Sequence, residues 1–381
     1  MTRKKMTLAA ACLLAVSLCV KAGDLTVDNL TLYGKLEFGN ANVYPASGGT
    51  ITTNGNYVIH TFTTVGTNSF IVSSGSVTCD VLVVAGGGGG GHEIGGGGGG
   101  GGVIYSNTCV VSEGVSTVVV GEGGWAATTV ANGGNSGMFQ GSNGGDSGFG
   151  SITAFGGGGG GCYSEPSGVA GRNGGSGGGN GANATGVGGS GTNDQGSSGG
   201  SGGVYGGGGG GGASAAGGNV SAPNAGSGGA GMACSISGSS IYYAGGGGGG
   251  AITYANVTVA GTGGIGGGGD GNNYGPAEAG TDNTGGGGGG AGYNDYVSVP
   301  GKGGSGIVIV RYLNTSTNAA SSIYGINQNS ASATNIFLGK VGIGTNSPSE
   351  KLHVVGNSRF DGTIVLSSPV GDLPMGVFTN Q

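Results

Sequence analysis

Seven unbroken glycine runs constrain this chain more than any other feature: residues 86–91, 95–102, 156–161, 206–212, 245–250, 266–269 and 285–290. Fixing each backbone residue costs about 1–2 kcal/mol, and glycine loses the most freedom of all. A glycine run has no side chains to offset that loss. If it orders, backbone hydrogen bonds must supply the stabilisation. A left-handed helix of three residues per turn leaves its N–H and C=O groups pointing outward. Without Cβ atoms, several such helices can lie side by side and bond to one another, with Cα–H···O contacts adding a smaller term. The competing reading is a flexible linker. Order is favoured because six of the seven runs are six to eight residues long and strand-like segments bracket the set. Short segments such as His92-Glu93-Ile94 are also placed to reverse the chain. The expectation is a bundle of packed polyglycine II helices.

Ninety of the 106 glycines fall between residues 81 and 310. They come in runs and not at every third position, which excludes collagen. Around them the sequence reads as strand. Tyr57–Phe62 and Ser69–Val72 are rich in β-branched and aromatic residues. Asp80–Val84 and Ile307–Tyr312 are apolar runs of the kind buried in a sheet. Period-2 alternation from Leu25 to Phe38 also reads as strand. The fold class expected is mainly β. It divides into a leader (1–22), an N-terminal β segment (23–54), a glycine-rich domain (55–314) and a C-terminal β module (315–381).

Arg3, Lys4 and Lys5 precede an apolar run from Met6 to Val20, and Val20 and Ala22 place small residues at −3 and −1 of a cleavage site before Gly23. That is the pattern of a secretory signal peptide, so the mature chain is expected outside the cell or on its surface. No later segment is long and apolar enough to span a bilayer. The formal net charge of −6 disfavours nucleic acid as a partner. Cys79, Cys109, Cys162 and Cys234 remain after cleavage, an even number with no zinc-like spacing. Cys79 and Cys109 both fall on the first strands of the domain, which gives the expected disulfides Cys79–Cys109 and Cys162–Cys234. Free buried thiols are the alternative.

No catalytic constellation stands out. Gly-x-Ser-x-Gly occurs at Gly174–Gly178 and Gly199–Gly203, as chance provides in Gly/Ser-rich sequence, without the strand and helix a nucleophile elbow needs. His60 reads as structural. No cofactor or metal is implied, and repeated calcium-binding nonapeptides are missing. The binding residues, if the bundle displays them, lie on its loops. The turn His92, Glu93 and Ile94 is one such loop. Tyr163, Tyr274, Tyr293 and Tyr296 are others, each combining apolar area with a hydroxyl.

Three blocks carry a resemblance: Asn56–Phe62 with Asp80–Gly88, Phe149–Gly157, and Gly303–Tyr312. In this order they resemble the bacterial and phage glycine-rich domain family. The arrangement is also similar to the glycine-rich region of the anaplastic lymphoma kinase receptor family. That resemblance implies a jelly-roll-like β framework carrying a bundle of glycine helices. Phage tail-tip adhesins are a looser likeness, and their loops contact a receptor. Val341–Ser358 resembles a stalk unit of phage tail fibres, which implies a homotrimer. Together these imply an exported, non-enzymatic, fibre-like or adhesin-like protein whose partner is a cell-surface glycan or protein receptor. A purely structural envelope component is the second reading, and a surface-polymer hydrolase the third.

Overall fold

The computed structural model describes residues 45–127, 140–163, 167–252, 259–293 and 299–314, and the backbone of 341–343 and 352–354. It is mainly β, and no α-helix occurs among the described residues. Ten strands belong to the glycine-rich region: β1 (Ala46–Ser47), β2 (Thr50–Asn54), β3 (Tyr57–Phe62), β4 (Gly66–Val84), β5 (Val103–Val120), β6 (Ser147–Phe149), β7 (Ile152–Ala154), β8 (Met232–Cys234), β9 (Ile241–Tyr243) and β10 (Ile307–Leu313). Eight of them form an antiparallel sheet of order β2-β3-β10-β4-β5-β6-β7, with β1 also paired to β4. β8 and β9 form a separate hairpin. Further on, β11 (Val341–Ile343) and β12 (Leu352–Val354) pair in parallel. The strand expected over 25–38 lies outside the described residues.

The long β4–β5 ribbon carries register shifts after Val72 and after Cys79. Phe70 and Val72, before the shifts, share one cluster with Val81, Val83, Val118, Phe149, Val308 and Val310. The sheet therefore folds over itself around a core. The alternate residues Leu82, Val84, Ile307 and Ile309 pack on the opposite face with Ile236 and Tyr243. Both faces of Val81–Val84 are covered, which is why that stretch reads as an unbroken apolar run. His60 sits in the first core. Its Nδ1 is 2.7 Å from the Gly48 carbonyl and its Nε2 is 3.0 Å from the Tyr312 hydroxyl. Its ring meets Phe70 edge-on, with centroids 5.1 Å apart. A carbonyl accepts only, so Nδ1 carries the proton and Nε2 accepts from Tyr312.

The glycine runs stand off this sheet. They are neither strand nor α-helix, and their hydrogen bonds have a period of three. In the run 95–102, the amides of Gly95, Gly98 and Gly101 donate to Ala291, Gly288 and Gly285. Those of Gly96, Gly99 and Gly102 donate to Gly161, Gly158 and Phe155, and those of Gly97 and Gly100 to Gly208 and Gly211. All are 2.8–3.0 Å long. The carbonyls follow the same rule. Gly96 and Gly99 accept from Gly91 and Gly88, Gly97 and Gly100 from Gly179 and Ser176, and Gly95 and Gly98 from Gly250 and Gly247. Six extended segments thus surround this one, three receiving its protons and three supplying theirs. A Cβ on Gly96, Gly97 or Gly98 would collide with the carbonyl of Gly179, Gly247 or Gly88 respectively. Glycine is required there by close approach of backbone to backbone.

The outer segments solve a different problem, since they lack neighbours on one side. Their sequences read x-Gly-Gly-x: Glu122 and Trp125, Asn143 and Asp146, Lys302 and Ser305. Glu122, Trp125, Asn143, Asp146 and Lys302 are exposed while the glycines between them are mostly buried. Side-chain oxygens also replace missing carbonyls. Asn143 accepts from the Gly159 amide at 3.1 Å, Asp146 from Gly156 at 2.8 Å and Asn219 from Ser201 at 2.8 Å.

Neither expected disulfide is formed; Cys79, Cys109, Cys162 and Cys234 are all free thiols. Cys79 and Cys109 do face each other across β4 and β5, next to a register shift. There the Cys79 thiol donates to the Cys109 carbonyl at 3.3 Å instead of bonding to its sulfur. Cys162 and Cys234 are not neighbours. Cys234 packs against the sheet, whereas Cys162 lies beside Glu93 at the far end of the glycine hairpin.

Two outcomes follow from this packing. Gly98→Ala should lower unfolding free energy by about 3 kcal/mol or more in urea titration, while Lys302→Ala, which loses a 4.7 Å contact with the Trp125 ring, should cost no more than about 1 kcal/mol. Burial lowers the His60 pKa from 6.5, against the opposing pull of the Gly48 carbonyl. The unfolded chain therefore takes up the proton first. The melting temperature should be level above pH 6.5 and fall as pH drops towards about 5, and His60→Gln should flatten that fall.

Candidate functional site

β4 runs into the glycine hairpin 86–102, whose turn is His92-Glu93-Ile94, and the chain returns as β5. That turn is held at the end of the hairpin remote from the sheet. Glu93 and Ile94 both adopt left-handed backbone, with φ of 51° and 52°. For a β-branched residue this is an outlier, costing about 1–2 kcal/mol per residue. Local contacts hold it in place. The Glu93 carbonyl accepts the Tyr163 amide at 2.9 Å, and the Ile94 carbonyl accepts that of Ala182 at 3.0 Å. The Ile94 side chain is 4% exposed and packs with Ala182, Ile252, Tyr163 and Tyr293.

The distal end thus gathers residues from five separate parts of the chain around an apolar plug. Of the loop residues expected from sequence, His92, Glu93, Ile94, Tyr163 and Tyr293 are brought together here. His92 and Ile94 are buried; Glu93, Tyr163 and Tyr293 are half-buried. Tyr274 is 56% exposed on the adjoining 271–276 loop. That loop is tied to the same end: the Asn272 carbonyl accepts from Ala251 at 3.1 Å, and its Oδ1 accepts from Gly292 at 2.7 Å. Tyr296 lies outside the described residues. At the sheet end, the Ala213 amide is bonded to the Ala244 carbonyl.

Sequence reasoning missed Val204 and Tyr205. They are 60% and 40% exposed and join the distal end through the Tyr205 carbonyl, which accepts from Ile252. The signal was available: Tyr205 immediately precedes the run 206–212, as Tyr163 and Tyr293 closely follow theirs.

The chemistry gathered here is aromatic and polar. Among the described residues, no three His, Cys, Asp or Glu side chains are arranged to hold a metal ion. Elsewhere, Arg311 is paired with Asp80 at 2.6 Å on β10 and β4 and covers the Tyr57 ring, 4.6 Å from its centroid. That cluster braces the sheet. No helix among the described residues is long and apolar enough to cross a membrane.

The folded-over antiparallel sheet and the glycine segments hung from it define a class of domain in which backbone, not side chain, fills much of the interior. The family profile for the glycine-rich domain matches residues 63–313. The chain belongs to that glycine-rich domain family. No curated protein shows a detectable match to it.

Burial pushes the Cys162 thiol up to about 12, with the Glu93 carboxylate adding to the effect, and burial likewise pushes Cys79 up to about 12. A thiol reacts as thiolate. At neutral pH a maleimide should therefore label Cys79 and Cys162 only in denaturant, as read by mass spectrometry. Fast labelling of Cys162 in the native protein would contradict the buried position.

Proposed function

We propose that this is an exported, non-enzymatic, adhesin-like surface protein whose bundle of polyglycine II helices presents the distal aromatic end to a partner. The observation that carries this reading is the three-residue period of bonding partners around 95–102, the repeat expected of a left-handed threefold helix. A run of six residues at roughly 3.1 Å each is about 19 Å long. The turn at Ile94 is thereby displayed well clear of the sheet, which we take as the jelly-roll-like framework implied by the likeness to the anaplastic lymphoma kinase receptor family. Rigidity favours binding because a fixed surface loses little entropy on association. Exposed Tyr274 and Tyr205 beside the half-buried Tyr163 and Tyr293 supply amphipathic area.

Export rests on the basic and apolar pattern of residues 3–22, with cleavage before Gly23. The parallel pair β11–β12 falls within the segment that resembles a tail-fibre stalk, and on that likeness the mature protein is a homotrimer at the cell surface or outside the cell. The partner is a surface glycan or a protein receptor. A structural envelope component without a ligand is the competing reading.

Binding of the purified mature protein to whole cells and to a glycan array separates the two. Saturable binding that falls at least tenfold in Tyr274→Ala, with the melting temperature unchanged, is the expected result. Binding that never saturates on either platform would favour the structural reading.

A further inference from the structure

A second surface lies on the flank of the bundle, near the sheet and away from the distal turn. It is an open groove of about 470 Å³, within the size range of small-molecule sites. Its floor is backbone: Gly144, Gly156, Gly174 and Gly191 contribute no side chains, so a flat ligand can approach closely. Phe155 stands at its lip, 45% exposed. An exposed phenylalanine is unremarkable alone, but this one is fixed at both ends of its backbone. Its amide donates to Gln195 Oε1 at 2.9 Å and its carbonyl accepts from Gly102 at 2.8 Å.

The walls are polar and equally fixed. Asp146 Oδ1 accepts the Gly156 amide at 2.8 Å, Asn173 Oδ1 accepts that of Ser190 at 2.7 Å, and Thr192 Oγ1 donates to the Gly174 carbonyl at 2.9 Å. Each side chain has a second hydrogen-bonding valence: Asp146 has Oδ2, Asn173 has its amide protons, and Thr192 has its oxygen lone pairs. Both donors and acceptors are therefore set around a flat floor, beside one aromatic face. Among the described residues, Asp146 is the sole charged one lining the groove.

We propose that this groove is a binding site for a neutral saccharide, one or two pyranose rings in size. A pyranose has an apolar C–H face to lie on Phe155 and hydroxyls that both donate and accept. The carboxylate favours hydroxyl donors and repels anionic ligands. A lipid would need apolar walls, which the groove lacks, and a nucleotide would meet the Asp146 charge. The site is distinct from the distal end and does not depend on the adhesin reading.

The test uses the full mature chain, with saturation-transfer NMR and titration calorimetry against methyl glycosides of glucose, galactose and N-acetylglucosamine and their β-linked disaccharides. Methyl glucuronide serves as the charged control. Saturable binding of at least one neutral sugar is expected, with glucuronide at least tenfold weaker. Phe155→Ala should weaken binding at least tenfold and Phe155→Tyr should retain it. Asp146→Asn, which keeps an oxygen for the Gly156 amide, should weaken binding and narrow the discrimination against glucuronide. Because Phe155 is exposed, circular dichroism and melting temperature should match the wild type. Absence of saturation transfer from every neutral sugar would overturn the proposal, as would binding that Phe155→Ala and Asp146→Asn leave intact.

Discussion

Amide-to-carbonyl bonding between neighbouring glycine segments is the interaction on which the rest of this molecule depends. In an ordinary domain the interior is filled by side chains, and backbone groups are satisfied within helices and sheets. Here the run 95–102 gives its protons to three neighbours and takes protons from three more. The interior is close-packed backbone, with no room for a Cβ. Such a lattice has little hydrophobic drive of its own, and glycine is the residue that gains least from ordering. The folded-over sheet supplies what is missing. β4, β5, β7 and β10 each adjoin a glycine segment, so the apolar core around Phe70, Val83 and Val308 sets where each segment begins and how it is aligned with its neighbours.

A lattice that needs six neighbours is incomplete at its surface. The chain resolves this with oxygen atoms from Asn and Asp. Asn143, Asp146 and Asn219 each accept an amide that a further segment would otherwise have satisfied. This explains why so many Asn and Asp residues occur beside glycines without forming a calcium motif. They close the net at its edges, and in doing so they are rigidly positioned, which is also what a binding wall requires.

Much of the sheet was legible in the sequence because it obeys familiar chemistry. Tyr57–Phe62 is β3 residue for residue, and Ile307–Tyr312 falls within β10. The inner glycine runs were legible as tracts. The outer segments were not, because Glu122-Gly-Gly-Trp125 and Asn143-Gly-Gly-Asp146 look like loop sequence until the period of three is known. Cysteine pairing was misread for a similar reason. Opposition of Cys79 and Cys109 follows from strand register, but the direction of a thiol next to a register shift does not. At the distal turn, sequence named residues that the fold brings together, without revealing that Ile94 is driven inward as a plug. That depends on Ala182, Ile252 and Tyr293, which are distant in sequence and meet only through the bundle.

The x-Gly-Gly-x pattern of the outer segments has a geometric consequence for evolution. Only every third residue of such a segment escapes the lattice, so substitutions are confined to those positions. The flank of the bundle is therefore a ruled grid, with side chains at fixed intervals on an unchanging lattice. New surface chemistry can be written one grid point at a time, without disturbing what lies beneath.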